Sequence, residues 1–174
     1  MKKLIKRREI PIGNSVSNHP LLDRLYRARR IQNTKELDRT LKSMLNPNQL
    51  YGIEQAVNLL VEAYQQQQKI VIVGDFDADG ATSTALSVLA LRQLGFSDVD
   101  YLVPNRFEQG YGLSIPVAEM AIEKGVQLLM TVDNGVSSFD GVAFLKEKGI
   151  RVLVTDHHLP PKLCRQPMRL LILI

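Results

Sequence analysis

From Lys69 onward the sequence changes rhythm, and short apolar, β-branched runs alternate with helical stretches. Residues 70–73 read as a strand, followed by a Gly/Asp loop and a helix over 82–94. Residues 99–103, 126–132 and 152–155 repeat the strand pattern, with helices over 117–124 and near 142–148. Gly95, Gly125 and Gly149 stand where those helices should end. Nearly continuous apolar strands that alternate with helices predict a parallel sheet covered on both faces, an α/β fold. In such sheets ligands gather outside the carboxyl ends of the strands.

The segment before it is different. From Pro20 to Gln68 apolar residues recur at helical spacing: Leu21, Leu22, Leu25 and Tyr26, then Leu37 and Leu41, then Ile53, Val57, Leu60 and Val61. Asn33–Thr34 reads as a helix start and Asn46–Pro47–Asn48 as a turn. The expected organisation is a helical N-terminal extension over 1–68 and the α/β domain over 69–161. With 45% apolar and 23% charged residues the chain has the composition of an ordinary globular protein. No apolar run reaches the roughly 18–20 residues of a membrane helix. The basic N-terminus (Lys2, Lys3, Lys6, Arg7, Arg8) lacks the apolar stretch of a signal peptide. A single cysteine, Cys164, excludes an internal disulfide and fits a reducing cytoplasm. Clustered cations, including Arg24, Arg27, Arg29 and Arg30, suit either a phosphate backbone or a solvated helix face. Charge alone leaves both open.

Three of the four strands run into loops rich in acidic residues or histidine. They are Gly74-Asp75-Phe76-Asp77-Ala78-Asp79-Gly80, Asp133-Asn134-Gly135 and Asp156-His157-His158. Carboxylates and imidazoles crowded into one crevice repel or remain poorly solvated unless a cation neutralises them. That mixture suits Mn²⁺ or Mg²⁺, and the lack of cysteine disfavours structural zinc. Each loop alone has a plainer reading. An Asp-rich loop caps a helix, and Asp133–Asn134 makes a turn. An EF-hand reading of Asp75, Asp77, Asp79 and Gly80 fails because Leu86 stands where the bidentate Glu belongs.

The Asp-His-His at 156–158, with DFDADG at 75–80 and VDNG at 132–135 in the same order, resembles the DHH phosphoesterases. VGDFDADGATSTALSVLA, YLVPNRFEQGYGL, TVDNGVSS and VTDHHLP are closest to the family's single-strand-specific DNA exonucleases. The resemblance implies a two-metal phosphodiester hydrolase that removes nucleotides 5′ to 3′ from single-stranded DNA, with Mn²⁺ or Mg²⁺ as cofactor. Two such ions roughly 3.5–4 Å apart stabilise the attacking and leaving oxygens together. By the same resemblance Asp77 and Asp79 bind metal, Asp133 bridges the two ions, and His157 completes one coordination sphere. His158 faces the scissile phosphate. Val73 stands where many relatives have a metal-binding histidine, so Asp75 is the candidate substitute, its other role being to stabilise the loop. Arg106 is the candidate phosphate clamp, or else a surface ion pair. Other DHH activities, on short RNA or cyclic dinucleotides, and a non-catalytic nucleic-acid-binding role are the alternatives.

After Pro161 the resemblance stops. Family members continue towards a strand ending in Asn-Pro, whereas here the chain runs from Lys162 to Ile174 in an unrelated apolar tail. One added A before a permissible codon string for the residues from Leu163 reads TLPTADAIINPN, a family-like continuation. The expectation is a shifted reading frame over 162–174, with a truncated domain that lacks the family's last metal-binding Asp and its second domain.

Overall fold

A computed structural model describes residues 4, 6 and 9–158. The tail over 162–174, with its expected frame shift, lies outside the described residues, as do Lys2, Lys3, Arg7 and Arg8. The chain divides between Asn46 and Pro47 into two compact units.

In the first unit, helix α1 (Pro20–Ala28) starts at a proline whose fixed φ suits the first helical turn. The His19 ring accepts the Leu22 amide, and Asp23 accepts the Val16 amide at 2.7 Å and the Ser15 hydroxyl at 2.9 Å. These bonds fold residues 15–16 back onto the helix and bury Val16. The helical spacing that continues through Leu37 and Leu41 gives only 3₁₀ turns, at Thr34–Leu37 and Leu41–Ser43. Asn33 accepts the Lys35 amide and Asp38 accepts the Thr40 amide, so side chains compete with helix propagation.

The second unit holds α2 (Ile53–Gln65), β1 (Ile70–Val73), α3 (Ala78–Gln93), β2 (Val99–Leu102), α4 (Ile115–Glu123), β3 (Leu128–Val132), α5 (Phe139–Glu147) and β4 (Arg151–Thr155). The strands form one parallel sheet in the order β2-β1-β3-β4. Alternation along each strand loads both faces. Val71, Val73, Leu129, Val152 and Val154 pack with Val117, Ala118 and Ala121 of α4 and with Val142 and Leu145 of α5. Ile70, Ile72, Leu128, Val132 and Leu153 pack with Ala56, Leu59 and Ala63 of α2 and with Val88 and Leu91 of α3. The helix α2, grouped by sequence with the N-terminal extension, thus contributes to the core of the sheet. The break between units falls at 46/47 and not at 68/69. Gly95, Gly125 and Gly149 end α3, α4 and α5 with φ of 97°, 76° and 75°. Among the described residues no helix is long and apolar enough to cross a membrane.

Leu145 is fully buried, while Leu89 on α3 is 66% exposed. Leu145→Ala is expected to lower unfolding free energy by about 2–5 kcal/mol, and Leu89→Ala by no more than about 0.5 kcal/mol. Urea denaturation checks this, and equal losses at the two positions would contradict the packing.

Candidate metal centre

From β1 the chain crosses to β2 on one side, and β3 and β4 follow on the other. The crevice opens where neighbouring strands send their connections to opposite sides, between β1 and β3. The loops that follow all four strands supply its polar groups.

Asp133 stands directly after β3 with φ of 61°, a left-handed conformation uncommon for a residue other than glycine. Its amide donates to the Thr155 carbonyl at 3.0 Å, which ties the turn to β4. Asn134 donates from Nδ2 to the carbonyls of Val73 (3.0 Å) and Val132 (2.9 Å), and the Thr131 hydroxyl donates to the Asn134 carbonyl at 2.7 Å. Gly135 completes the turn, and a Cβ there would lie 2.6 Å from Thr131 Oγ1. This framework holds the Asp133 carboxylate in a nearly buried position, 8% exposed.

Asp133 Oδ1 lies 2.8 Å from His157 Nε2 but makes no aligned hydrogen bond among the described residues, although it is buried. Burial pushes the Asp133 carboxyl above the usual range; the adjacent His157 opposes the shift and the Asp77 charge adds to it. Ligand atoms of Asp133, His157 and His158 all fall within 4.8 Å of one another. The His158 imidazole is oriented from behind, with Nδ1 2.7 Å from Asp156 Oδ1. Asp156 itself is buried and accepts the amides of Val136 and His158, each at 2.9 Å. Its hydrogen bond raises the pKa of His158 against a smaller effect of burial.

The loop after β1 divides its three carboxylates. Asp77 caps α3 by accepting the Gly80 amide at 3.0 Å, and this bond holds its carboxyl below the usual range. Gly80 is required there, since a Cβ would stand 2.4 Å from the Asp75 carbonyl. Asp79, in the first turn of α3, lines an open cleft of about 560 Å³ together with Leu50, Asp133, Asp156 and His157. Asp75 has partners on both oxygens. Its Oδ1 accepts the Phe76 amide at 2.8 Å and its Oδ2 accepts Arg106 Nη2 at 2.7 Å. The Arg106 guanidinium lies 3.7 Å from the Phe76 ring centre and 4.8 Å from that of Tyr111.

Of the expected site residues, Asp133, His157 and His158 converge directly. Asp79 shares their cleft, and Asp77 acts electrostatically on Asp133. Asp75 and Arg106 pair with each other, and their charges still reach the site, Asp75 acting on His158 and Arg106 on Asp77. Sequence reasoning gave no role to Phe76 or Tyr111, and placed Asp156 and Asn134 only as members of the strand-end loops. Asp156 was legible as an acid at a strand end, whereas the aromatic pair around Arg106 has no local signature. The donor set fits a divalent cation: one carboxylate oxygen and two imidazole nitrogens converge, and the buried carboxylate oxygen makes no aligned hydrogen bond among the described residues.

Residues 69–171 match the DHH family, N-terminal domain. The chain is 98% identical over 162 residues to the single-stranded-DNA-specific exonuclease RecJ of Haemophilus influenzae, covering 93% of this chain and 28% of that protein. It is 58% identical over 141 residues to the Escherichia coli RecJ, covering 81% and 24%. It thus spans about a quarter of the length of these curated relatives. A crystal structure of exonuclease RecJ bound to manganese superposes with a TM-score of 0.63 at 39% identity, covering 74% of this chain and 32% of that one. The Thermus thermophilus RecJ in complex with Mn²⁺ superposes with a TM-score of 0.58 at 35% identity, covering 83% and 20%.

Removing the buried charge separates stability from binding. Asp133 has a folded pKa above its unfolded value, so the ionised form weakens folding and stability rises as pH falls through that pKa. Asp133→Asn is therefore expected to leave the metal-free chain with an equal or higher Tm at neutral pH. The same change should weaken Mn²⁺ binding by at least about tenfold. Calorimetry measures both, and a lower Tm with unchanged Mn²⁺ affinity would contradict the assignment.

Proposed function

The chain belongs to the DHH family, and we propose that it supplies the metal-binding half of a 5′ to 3′ exonuclease acting on single-stranded DNA in the cytoplasm. The convergence of Asp133, His157 and His158 at the carboxyl ends of β3 and β4 carries this reading. The relatives named above are exonucleases specific for single-stranded DNA, which supplies the substrate class.

In this proposal Asp133 and His157, with Asp77 and Asp79, hold the Mn²⁺ or Mg²⁺. The ions, when bound, lower the pKa of water and offset charge on the phosphate oxygens. His158 has a separate task. With Nδ1 bound to Asp156, its Nε2 is the nitrogen available to donate to a phosphate oxygen. The upward shift of its pKa favours the charged imidazolium, which suits an anionic partner. Arg106 is fixed by Asp75 and by two aromatic rings, and its remaining N–H donors suit a second phosphate oxygen. Asp75 accordingly acts as the anchor of Arg106 and not as a substitute metal ligand. Hydrolysis adds water to phosphorus and breaks the bond to the 3′ oxygen. The released nucleotide leaves with a 3′ hydroxyl, and the shortened strand keeps a 5′ phosphate.

The test uses a protein with the full length of the curated relatives that carries these residues, with 5′-phosphorylated single-stranded DNA and Mn²⁺. His158→Ala is expected to reduce turnover by about 10²–10⁴-fold while bound Mn²⁺ stays near the parent level. His157→Ala is expected to lose metal and activity together. Metal loss in the His158 variant with retention in the His157 variant would reverse the two roles.

A further inference from the structure

We propose that the first unit carries its own binding site for one nucleotide unit of single-stranded DNA, in the groove between residues 11–14 and the carboxyl end of α1. This deepens the exonuclease reading and rests on it for the identity of the ligand. Residues 1–46 contain twelve Lys and Arg against four Asp and Glu, a net charge of +8 in a chain whose total is +4. The acidic metal centre therefore lies in a second unit of net negative charge, and the phosphate-attracting potential resides in the first.

The groove encloses about 490 Å³, within the range of small-ligand sites. Arg27 and Arg30 supply charge, Ile12 and Ile31 supply apolar walls, and Asn14 and Gln32 supply amides. Among the described residues no carboxylate lines it, whereas Glu9 lines an adjoining cavity that shares Pro11, Ile12 and Arg30 with it. Arg27 is built into the wall: Nη2 donates to the Pro11 carbonyl at 2.6 Å, and Nη1 lies 3.5 Å from Asp23. Its Nε is buried and has no hydrogen bond among the described residues. Asp23 faces Arg27 through Oδ2, while Oδ1 accepts the Val16 amide and the Ser15 hydroxyl.

Arg30 is the more telling residue. It occupies the position just past the α1 cap with φ of 64°, where glycine is the residue that fits without strain. Its side chain is exposed and forms no ion pair among the described residues. A long, unpaired cation is thus held in a conformation that disfavours most side chains, in the lining of a groove with no carboxylate among the described residues. One phosphate against the exposed guanidinium of Arg30, with the base between Ile12 and Ile31, matches the unpaired charge and the apolar walls. The walls and amides suit an unpaired base, which a duplex does not offer.

The experiment measures binding of fluorescein-labelled (dT)12 to the 174-residue chain by anisotropy, with EDTA present so that hydrolysis cannot contribute. Arg30→Gly is expected to weaken binding by at least about fivefold and to lower the slope of log affinity against log salt by about one. Relief of the left-handed strain should leave Tm unchanged or raised. Lys42→Ala, a cation of the same unit outside the groove, is expected to have a smaller effect. Unchanged affinity in Arg30→Gly, an equal loss in Lys42→Ala, or a fall in Tm with binding retained would each overturn the site; the last would make Arg30 a helix-capping residue. Because no metal is present, failure here leaves the turnover test at His157 and His158 untouched.

Discussion

The side-chain amide of Asn134 joins the ends of two strands, and the candidate centre depends on that join. Its Nδ2 donates to Val73 at the end of β1 and to Val132 at the end of β3. These neighbours flank the crevice, so the amide sets the spacing between the loop carrying Asp77 and Asp79 and the carboxylate of Asp133. Each bond is worth about 0.5–1.5 kcal/mol net, and losing a buried partner costs more. The left-handed backbone at Asp133 sits within the turn that the Thr131–Asn134 hydrogen bond and the close approach at Gly135 brace.

The carboxylates around the crevice fall into two electrostatic classes. Asp75 is neutralised by Arg106, Asp77 by helix and amide contacts, and Asp156 by the Val136 and His158 amides and the His158 ring. Asp133 has a buried oxygen whose imidazole neighbour, 2.8 Å away, makes no aligned hydrogen bond to it, and its pKa moves in the opposite direction to that of Asp77. A buried carboxylate in that condition weakens the apo fold and strengthens binding of a cation, the trade common at functional sites. DHH family membership and the likeness to manganese-bound RecJ agree with this distribution.

Much of this was legible in the sequence, for physical reasons. Strands buried on both faces must be largely apolar, which made 70–73 and 126–132 readable as parallel strands, the second of which spans Leu128–Val132 in the structure. Asp133 and His157 stood out because chemistry gathers at strand ends. The Asp75–Arg106 pair did not, since 31 residues separate the partners and only the pairing of β1 with β2 brings their loops together. The amphipathic pattern of α2 could not show which surface would cover it, and so its place in the sheet unit emerged only from packing. In the first unit, side-chain bonds from Asn33 and Asp38 overrode a helical spacing that looked continuous.

The most direct measurement is anomalous diffraction at the manganese edge from crystals of the chain grown with Mn²⁺. The expected result is a peak within about 2.0–2.4 Å of Asp133 and of His157 Nε2, with Asp75 still paired to Arg106. A peak coordinated by Asp75 and remote from Asp133, or no peak at the carboxyl ends of β3 and β4, would contradict a metal centre built on Asp133.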